Sequence, residues 1–394
     1  MAQQEVGIGL IGYAFMGKTH SNAYRQVEKF FPDLKAKPVL RAICGRNEDN
    51  VRQAANTFGF ESYETDFRKL VERPDIQIVD VSSPGNEHLP MAIAAAQAGK
   101  TVFCEKPLAN TFEEAQQMTE AAEAAGVVNM VCFNYRRVPA IALAKRMIEN
   151  GDLGRIYHFR ARYLQDWIAD PNFPLVWRLR KEIAGSGTLG DIGAHVLDLG
   201  QYLMGANLTT LSGLTHTFIK ERPLQAPPSG QEGLTAQATQ EMGEVTVDDA
   251  TAFMGHFANG ALGVFEATRF AVGRKNANSF EINGEKGSVS FNFERMNELE
   301  YYNENDPEDR RGFRTILATD ASQPYAGAYW PPGHIIGYEH SFINTVYDLI
   351  NGHVEGKSPQ PDFRTGAQNN LVLDTVAKSS ESRHWEDVPQ FDAR

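Results

Sequence analysis

Three features are scarce in this chain of 394 residues: cysteine, an excess of positive charge, and long apolar runs. The 50 acidic residues outnumber the 38 Lys and Arg residues, which gives a formal charge of −12. This balance argues against nucleic acid or anionic membranes as partners, because both require a basic surface. No stretch resembles a membrane span, and the apolar run 6–11 is too short for a secretory signal. We therefore expect a soluble cytoplasmic protein with neither kind of partner.

The three cysteines, Cys44, Cys104 and Cys132, cannot all pair with one another and do not have the spacing of metal ligands. Each lies in an apolar run typical of a strand. The pattern favours buried free thiols, which agree with a reducing compartment.

The first third of the chain alternates short apolar runs with segments of helical periodicity. A length of 394 residues favours two domains, of which this third is the first. Apolar runs without alternation are typical of strands that are covered on both faces of a parallel sheet. We predict an α/β doubly wound Rossmann domain over residues 1–134. Its predicted strands are residues 6–11, 39–44, 76–81, 101–104 and 127–133.

The pattern changes after residue 137. Runs with period-two alternation and Asn-Gly turns predict an α+β domain with an open, mainly antiparallel sheet over residues 135–394. Segment 222–246, rich in Pro, Gly, Gln and Thr, is predicted as a long loop. Helices are predicted near 336–351 and 365–382. Because these helices are too few to cover both faces of the sheet, we expect a homo-oligomer built sheet to sheet.

The stretch GLIGYAFMGKTH, residues 9–20, nearly matches the glycine fingerprint of a dinucleotide-binding turn, with Ala14 in place of the central glycine. The turn follows the first strand and opens the first helix, whose free N–H groups favour a pyrophosphate. One extra methyl group restricts the approach of the backbone without blocking it, so we predict that the turn binds a dinucleotide. At the end of the second strand, Arg46 could accept a 2′-phosphate, stack on adenine or remain solvated, which leaves NAD and NADP open.

A second motif, CEKPLA (residues 104–109), follows a strand at the sheet edge where open parallel sheets bind ligands. It places Glu105 and Lys106 at that edge. A solvated ion pair is the alternative interpretation of these two side chains.

A third motif is a glycine-rich segment that leads into a helical pattern over residues 185–205. Asp191, His195 and Asp198 stand at i, i+4 and i+7, on one face of the predicted helix. A partly buried histidine beside a carboxylate is a suitable proton acceptor near neutral pH. A surface salt bridge is the alternative.

With these motifs the chain resembles the Gfo/Idh/MocA oxidoreductases, NAD(P)-dependent dehydrogenases and reductases of sugars and cyclic polyols. The resemblance covers nearly the whole chain. It rests on the turn with His20, SSPGNEH (82–88), CEKPLA (104–109) and GDIGAHVLDL (190–199), and departs at Ala14. Smaller matches, such as GKTHSNAY and LQDW, are similar to the branch that holds levoglucosan dehydrogenases and scyllo-inositol dehydrogenases able to oxidise L-glucose.

The resemblance implies the site. His195 would take the hydroxyl proton, Lys106 would stabilise the reacting oxygen, and Asp191 would orient the histidine or bind a neighbouring hydroxyl. No metal is expected, because Lys106 supplies the positive charge that zinc supplies in other alcohol dehydrogenases. The implied cofactor residues are Gly12, Ala14, Phe15, Met16, Arg46, Ser83, Pro84, Asn86, His88, Glu105, Lys106 and Asn134. The implied substrate residues are Lys106, Tyr135, Tyr163, Asp166, Trp167, Arg178, Asp191, His195 and Asp198.

The expected activity is hydride transfer from a ring CH–OH of a neutral cyclic polyol or aldopyranose to NAD, with NADP left open. A scyllo-inositol 2-dehydrogenase is the main hypothesis, and the family implies a tetramer. The alternatives are a levoglucosan or other sugar dehydrogenase, an NAD-dependent glycoside-cleaving enzyme, and a non-catalytic dinucleotide sensor. A neutral substrate is expected because a phosphate would need more cations than Arg178 and its neighbours Arg180 and Lys181 provide.

Overall fold

The computed structural model describes residues 4–226 and 238–391. Its N-terminal part alternates strands with helices. The strands are β1 (Glu5–Ile11), β2 (Lys37–Cys44), β3 (Ser62–Glu64), β4 (Ile78–Val81), β5 (Thr101–Cys104) and β6 (Asn129–Val131). The helices are α1 (Phe15–Phe30), α2 (Glu48–Phe58), α3 (Phe67–Glu72), α4 (His88–Gln97) and α5 (Phe112–Ala125).

The six strands form one parallel sheet in the order β3-β2-β1-β4-β5-β6. The chain order reverses between β1 and β4, and open sheets bind ligands at the carboxyl ends of the strands beside such a reversal. The predicted doubly wound parallel sheet is confirmed. The sequence pattern missed β3 and α3, which are too short to show a clear period.

The C-terminal part is built on a larger sheet. Its strands are β7 (Ile156–Leu164), β8 (Leu208–His216), β9 (Glu221–Gln225), β10 (Ala238–Glu244), β11 (Ala250–Phe257), β12 (Leu262–Thr268), β13 (Ala277–Gly284), β14 (Gly287–Asn292), β15 (Glu298–Asn303), β16 (Arg314–Leu317) and β17 (Glu386–Asp387). Its helices are α6 (Pro139–Glu149), α7 (Lys181–Ala184), α8 (Ala194–Met204), α9 (Tyr338–Glu355) and α10 (Phe363–Ser382).

Nine of these strands form one sheet in the order β16-β15-β14-β13-β7-β12-β11-β8-β17. All neighbours in the sheet are antiparallel except β7 and β12, which pair in parallel. The predicted open, mainly antiparallel sheet is therefore confirmed.

The predicted long loop at 222–246 is wrong in its described part. Strands β9 and β10 pair as an antiparallel ribbon, while residues 227–237 lie outside the described residues. The polar composition of the segment suggested a loop, but tertiary contacts hold it in place. Arg222 is completely buried, and its guanidinium donates hydrogen bonds to the carbonyl oxygens of Ile168, Asp170 and Phe173.

Helices α6, α8 and α10 pack against one face of the nine-stranded sheet. The core on that face is rich in phenylalanine, with Phe159, Phe253 and Phe265 buried and in ring contact. The opposite face exposes Leu214, Met254 and Val264 to solvent.

The last two long helices return to the N-terminal part. Helix α9 packs along α1, and its side chains Phe342, Ile343 and Val346 belong to the hydrophobic core beneath β1. Helix α10 packs against α5. The boundary at residues 134 and 135 stays a prediction. Among the described residues, no helix is both long and apolar enough to cross a membrane.

Candidate active site

The turn between β1 and α1 has the shape that a dinucleotide requires. Gly12 has φ +108°, and a Cβ there would lie 2.5 Å from the carbonyl oxygen of Ser82. A Cβ on Gly17 would lie 2.3 Å from the carbonyl oxygen of Gly12. Ala14 is the N-cap of α1 and makes no side-chain hydrogen bond, so it leaves the N–H groups of the first turn free for a phosphate. These residues fit a bound dinucleotide.

Other predicted cofactor residues lie, like the turn, at the carboxyl ends of the parallel strands, where open sheets have their ligand-binding crevice. Phe15 is largely exposed beside the turn, and its ring stacks on Tyr338 with centroids 6.4 Å apart. Arg46 is exposed just after β2. Ser83, Pro84 and Asn86 lie on the connection from β4 to α4. The remaining one is Met16, which is partly buried at the start of α1.

Two predicted cofactor residues point into the protein instead. The His88 imidazole is buried and lies 3.0 Å from the carbonyl oxygen of Ser83 and 3.1 Å from that of Leu108. It therefore ties the loop after β4 to the loop after β5. Asn134 is buried and donates to the Ser341 hydroxyl at 2.8 Å. Both side chains support the crevice wall, and direct contact with the cofactor stays a prediction.

Lys106 and Asp191 meet across the crevice, although they come from different parts of the fold. Lys106 Nζ donates to the backbone carbonyl of Asp191 at 2.6 Å and lies 3.4 Å from its Oδ1 atom. Arg269 Nη1 lies 3.4 Å from Asp191 Oδ2. Burial alone would raise the pKa of Asp191, but Lys106, Arg269 and Arg178 lower it to about 2. Asp191 is thus a permanent carboxylate beside the lysine.

His195 lies at the start of α8 against a wall of aromatic rings. Its ring centroid is 4.7 Å from that of Tyr135 and 5.9 Å from that of Tyr163. Its pKa is well below the usual value because of burial and, second, because of the Lys106 ammonium, while Asp191 opposes the shift. Within the described ranges 4–226 and 238–391 the imidazole has no hydrogen-bond partner. It is therefore a neutral ring whose nitrogens are free for a ligand.

Asp191, His195 and Asp198 do not stand on one regular α-helix as predicted, because Asp191 lies in a π-helical turn whereas His195 and Asp198 lie in α8. Residues Leu189–Gly193 form a π-helical turn before α8, which changes the angular spacing of the side chains. Asp191 faces Lys106 and makes no hydrogen bond to His195, although its charge raises the pKa of that histidine. Its role in orienting the histidine stays a prediction. Asp198 is buried and accepts hydrogen bonds from Arg136 through both oxygens, at 2.8 and 2.5 Å. Its carboxylate is thereby occupied.

Tyrosine side chains form the wall beside His195. The hydroxyls of Tyr135 and Tyr163 lie 2.6 Å apart, and Tyr163 donates to Asn276 Oδ1 at 2.6 Å. Gln165 Nε2 donates to the same oxygen at 3.0 Å. This hydrogen-bonded chain fixes the rings that pack on the imidazole.

Arg178 and Trp167 lie near Asp191. The Arg269 guanidinium is 5.4 Å from the centre of the Trp167 ring, so the tryptophan belongs to the Asp191 cluster. Burial lowers the pKa of Arg178, and the Asp191 carboxylate opposes that effect. The Arg178 guanidinium packs on the Trp177 ring and, in the part of the chain that the structure describes, has no ion-pair or hydrogen-bond partner. It is the cation at this site that is free to meet a substrate.

Asp166, a predicted substrate residue, has its carboxylate bound to a neighbouring loop. Its carboxylate accepts hydrogen bonds from Lys275 Nζ at 2.8 Å and from the Gly273 backbone N–H at 2.9 Å. These contacts fix the loop that follows β12, and the role of Asp166 toward a substrate stays a prediction.

Sequence reasoning missed Arg269, Asn276 and Tyr338. Arg269 follows β12, and it reaches the site because β12 pairs in parallel with β7, which leads to Trp167. No local signal in the sequence reveals that pairing. Asn276 lies in the connection before β13, and no motif in the sequence marks it as a site residue.

A turn that fits a dinucleotide, together with a lysine, a carboxylate and a neutral histidine that lie close to one another, defines the class: a dinucleotide-dependent oxidoreductase acting on CH–OH groups. Two family matches agree with this. Residues 6–133 match the oxidoreductase family with an NAD-binding Rossmann fold, and residues 141–290 match the GFO/IDH/MocA C-terminal domain. The chain belongs to the Gfo/Idh/MocA family.

Similar proteins narrow the class further. The chain is 46% identical to a levoglucosan dehydrogenase of Pseudarthrobacter phenanthrenivorans, over 99% of this chain and 100% of the relative. A solved structure of levoglucosan dehydrogenase in complex with NADH has a TM-score of 0.93 at 46% identity, covering 98% of this chain and 100% of that one. The scyllo-inositol 2-dehydrogenase (NAD(+)) of Bacillus subtilis is 29% identical, over 73% of this chain and 74% of the relative. The protein is an NAD-binding dehydrogenase of sugars or polyols.

Proposed function

We propose that this protein oxidises a ring CH–OH of levoglucosan, or of a closely related neutral anhydrosugar, with NAD⁺. The proposal reverses the order of the two sequence hypotheses, because the similarity to levoglucosan dehydrogenase is higher and covers more of the chain than the similarity to scyllo-inositol dehydrogenase. The observation that carries the chemistry is the meeting of Lys106, Asp191 and a neutral His195 at the carboxyl end of β5.

Each of the three side chains has one task in this reaction. His195 accepts the hydroxyl proton at a ring nitrogen, because it is neutral and otherwise unpartnered. Lys106 Nζ donates a hydrogen bond to the oxygen that gains negative charge. Asp191 holds the ammonium in place through its carbonyl and carboxylate oxygens. Bound NAD⁺ supplies the two-electron acceptor for the ring carbon.

The groups around this centre suit a ring that carries several hydroxyls. Trp167 offers an apolar face beside Arg269, and Arg178 offers unused donors. The cluster also contains more cations than the sequence suggested, with Lys106, Arg178 and Arg269 around one carboxylate. Arg269 is completely buried and Lys106 is assigned to the reacting oxygen, so these cations leave Arg178 to meet the rest of the substrate. A neutral ring is therefore favoured, and the substrate screen below includes anionic sugars as the competing case.

The screen measures reduced-nicotinamide absorbance with NAD⁺ and NADP⁺ separately. The sugars are levoglucosan, scyllo-inositol, D- and L-glucose, glucose 6-phosphate and glucuronate. We expect the highest kcat/KM for levoglucosan with NAD⁺. A phosphorylated or carboxylated sugar preferred over every neutral one would overturn the proposal. Equal or better use of NADP⁺ would make Arg46 a ligand of the 2′-phosphate. Conversion of a glycoside without net NADH would support the glycoside-cleaving alternative.

Arg178→Ala is expected to raise KM for the sugar about tenfold or more while kcat changes less than about threefold. The reason is that the guanidinium donates to hydroxyls away from the reacting carbon, and a hydrogen bond to a charged group contributes about 1.5–3 kcal/mol. Steady-state kinetics with the best substrate measure the split. Arg180→Ala is the matched control, because that side chain is partly exposed and faces Glu182. A fall in kcat at unchanged KM would contradict this role.

We also propose that the protein forms a homo-oligomer, expected to be a tetramer, through the open face of the nine-stranded sheet. Light scattering measures its mass. The exposed apolar side chains Leu214, Met254 and Val264 on that face support it. Substituting Met254 with lysine should shift the mass toward a smaller species. A monomeric wild-type protein would contradict the proposal.

The buried free thiols Cys104 and Cys132 agree with the cytoplasm as the proposed compartment.

A further inference from the structure

A buried chain of charged side chains lies behind the cofactor turn, outside the groups that face the substrate. His20, on the second turn of α1, stands between two carboxylates. Its Nδ1 atom is 2.9 Å from Asp80 Oδ2, at the end of β4, and its Nε2 atom is 2.9 Å from Glu105 Oε1, just after β5. The exposed fractions of His20, Asp80 and Glu105 are 1%, 0% and 4%. Three neighbouring elements are thus joined by one imidazole.

This geometry fits a protonated imidazole, since both ring nitrogens point at carboxylate oxygens and the cation can donate to two ionised carboxylates at once. Burial is the largest single effect and lowers the pKa of His20, but Asp80 and Cys132 together outweigh it, so the pKa is well above the usual value. Tyr24 and Ser82 add hydroxyl donors to Asp80, at 3.0 Å each. A buried charge is stable only when it is paired and hydrogen-bonded, so the imidazolium and its two carboxylates depend on one another.

The chain of contacts ends at the reactive lysine. The second oxygen of Glu105, Oε2, accepts a hydrogen bond from the backbone N–H of Lys106 at 3.0 Å. The other end of Lys106 is held by Asp191, whose carbonyl accepts from Nζ at 2.6 Å. Glu105 therefore fixes the base of the lysine, while Asp191 fixes its tip. The predicted role of Glu105 as a cofactor residue is untested, and its carboxylate faces this network.

We propose that His20 is a positioning residue: it bridges Asp80 and Glu105 so that Glu105 holds the Lys106 backbone where Nζ can reach the reacting oxygen. The inference rests on the proposed dehydrogenase chemistry, because it assigns Lys106 to that oxygen. It also couples the cofactor helix to the reactive side chain, since His20 lies five residues after Phe15, the first residue of α1.

The alternative occupant of this region is a metal ion. His20, Glu105 and Cys132 offer ligand atoms that all lie within 4.8 Å of one another. However, a protonated imidazole cannot be a ligand, and both of its nitrogens are already committed to carboxylates. Stoichiometric zinc in the purified protein, lost in a His20 variant, would overturn the positioning role.

The test compares His20→Gln and Glu105→Gln with Tyr24→Phe in the intact protein. The first two break the bridge, whereas Tyr24→Phe removes a hydrogen bond from the same network and leaves the path from Asp80 to Lys106 complete. We expect the first two to lower kcat about 10- to 100-fold, the effect of displacing a reacting group by about 1 Å. The KM for the sugar and the dissociation constant for NADH should change less than about threefold. Tyr24→Phe should keep kcat within about twofold.

A second measurement does not depend on the substrate. Mass spectrometry follows the rate at which an amine-reactive reagent labels Lys106 in the NADH complex. We expect labelling to be about threefold faster or more in the bridge variants, because the side chain is less firmly held against Asp191. If the wild-type protein oxidises no sugar, the proposed function fails, while this labelling result still decides the positioning role.

Two outcomes would overturn the inference. One is unchanged kcat and unchanged Lys106 labelling in a folded bridge variant. The other is a loss of NADH affinity as large as the loss of kcat, which would mean that His20 supports the cofactor turn rather than the lysine. Thermal unfolding identifies variants that fold, and if His20→Gln does not fold, Glu105→Gln alone decides.

Discussion

Lys106→Ala is expected to lower kcat at least about a hundredfold, the scale that follows when one preorganised donor to a developing oxyanion is removed. The ammonium is held at 2.6 Å from the Asp191 carbonyl oxygen. KM should change much less than kcat, because the charge on the substrate oxygen develops mainly in the transition state. Steady-state oxidation of the best sugar from the screen measures both constants.

The control for this variant is Lys181→Ala, which removes an exposed ammonium from the short helix α7. Its kcat should stay near that of the wild type. Lys106→Arg should recover little, because a planar guanidinium cannot place a compact charge at the position of Nζ. A Lys106→Ala protein that loses only substrate affinity would remove the lysine from the chemical step.

His195→Ala is expected to lower kcat at least about a hundredfold while the dissociation constant for NADH stays within about twofold. The imidazole belongs to α8 of the C-terminal part and not to the turn that fits the dinucleotide. Loss of a general base typically costs 10²- to 10⁴-fold in rate. Nicotinamide fluorescence on binding and steady-state turnover give the two numbers independently.

We expect the same residue to set the pH dependence of kcat. Burial and then the Lys106 ammonium lower the pKa of His195, so the ring stays neutral below pH 6.5, where an exposed histidine would become charged. Because the proposed base must be neutral to accept a proton, kcat should stay level as the pH falls through 6.5 and should decline only at lower pH. That decline should be absent in His195→Ala, and the exposed His334→Ala should keep the wild-type profile. Near-normal turnover of His195→Ala across the pH range would rule out the assigned base.

Short stretches of sequence were enough to predict where several residues of the candidate site lie. The end of a buried strand places Glu105 and Lys106 at the ligand-binding edge, whatever the rest of the chain does. The dinucleotide-binding turn at Gly12 could be predicted despite Ala14, because the prediction depends on a helix that begins directly after a strand and not on the central glycine. The roles of Asp198 and Asp166 could not be read, since a carboxylate has the same appearance in sequence whether it meets a sugar or an arginine. In the structure Asp198 is paired with Arg136, and Asp166 is paired with Lys275.

The sequence by itself determined the alternation of strands and helices and the dinucleotide turn, because each depends on periodicity or on neighbours a few residues away. It also holds the motifs that contain Lys106, Asp191 and His195, whose reactive roles are implied by the family resemblance and stay predictions. The tertiary structure alone decided which of them meet. Lys106 and Asp191 are 85 positions apart, and His20 and Glu105 are also 85 apart. Arg269 arrives only through the parallel pairing of β12 with β7. Such contacts depend on strand order and on the balance of buried charges, and no short stretch of sequence encodes either of these.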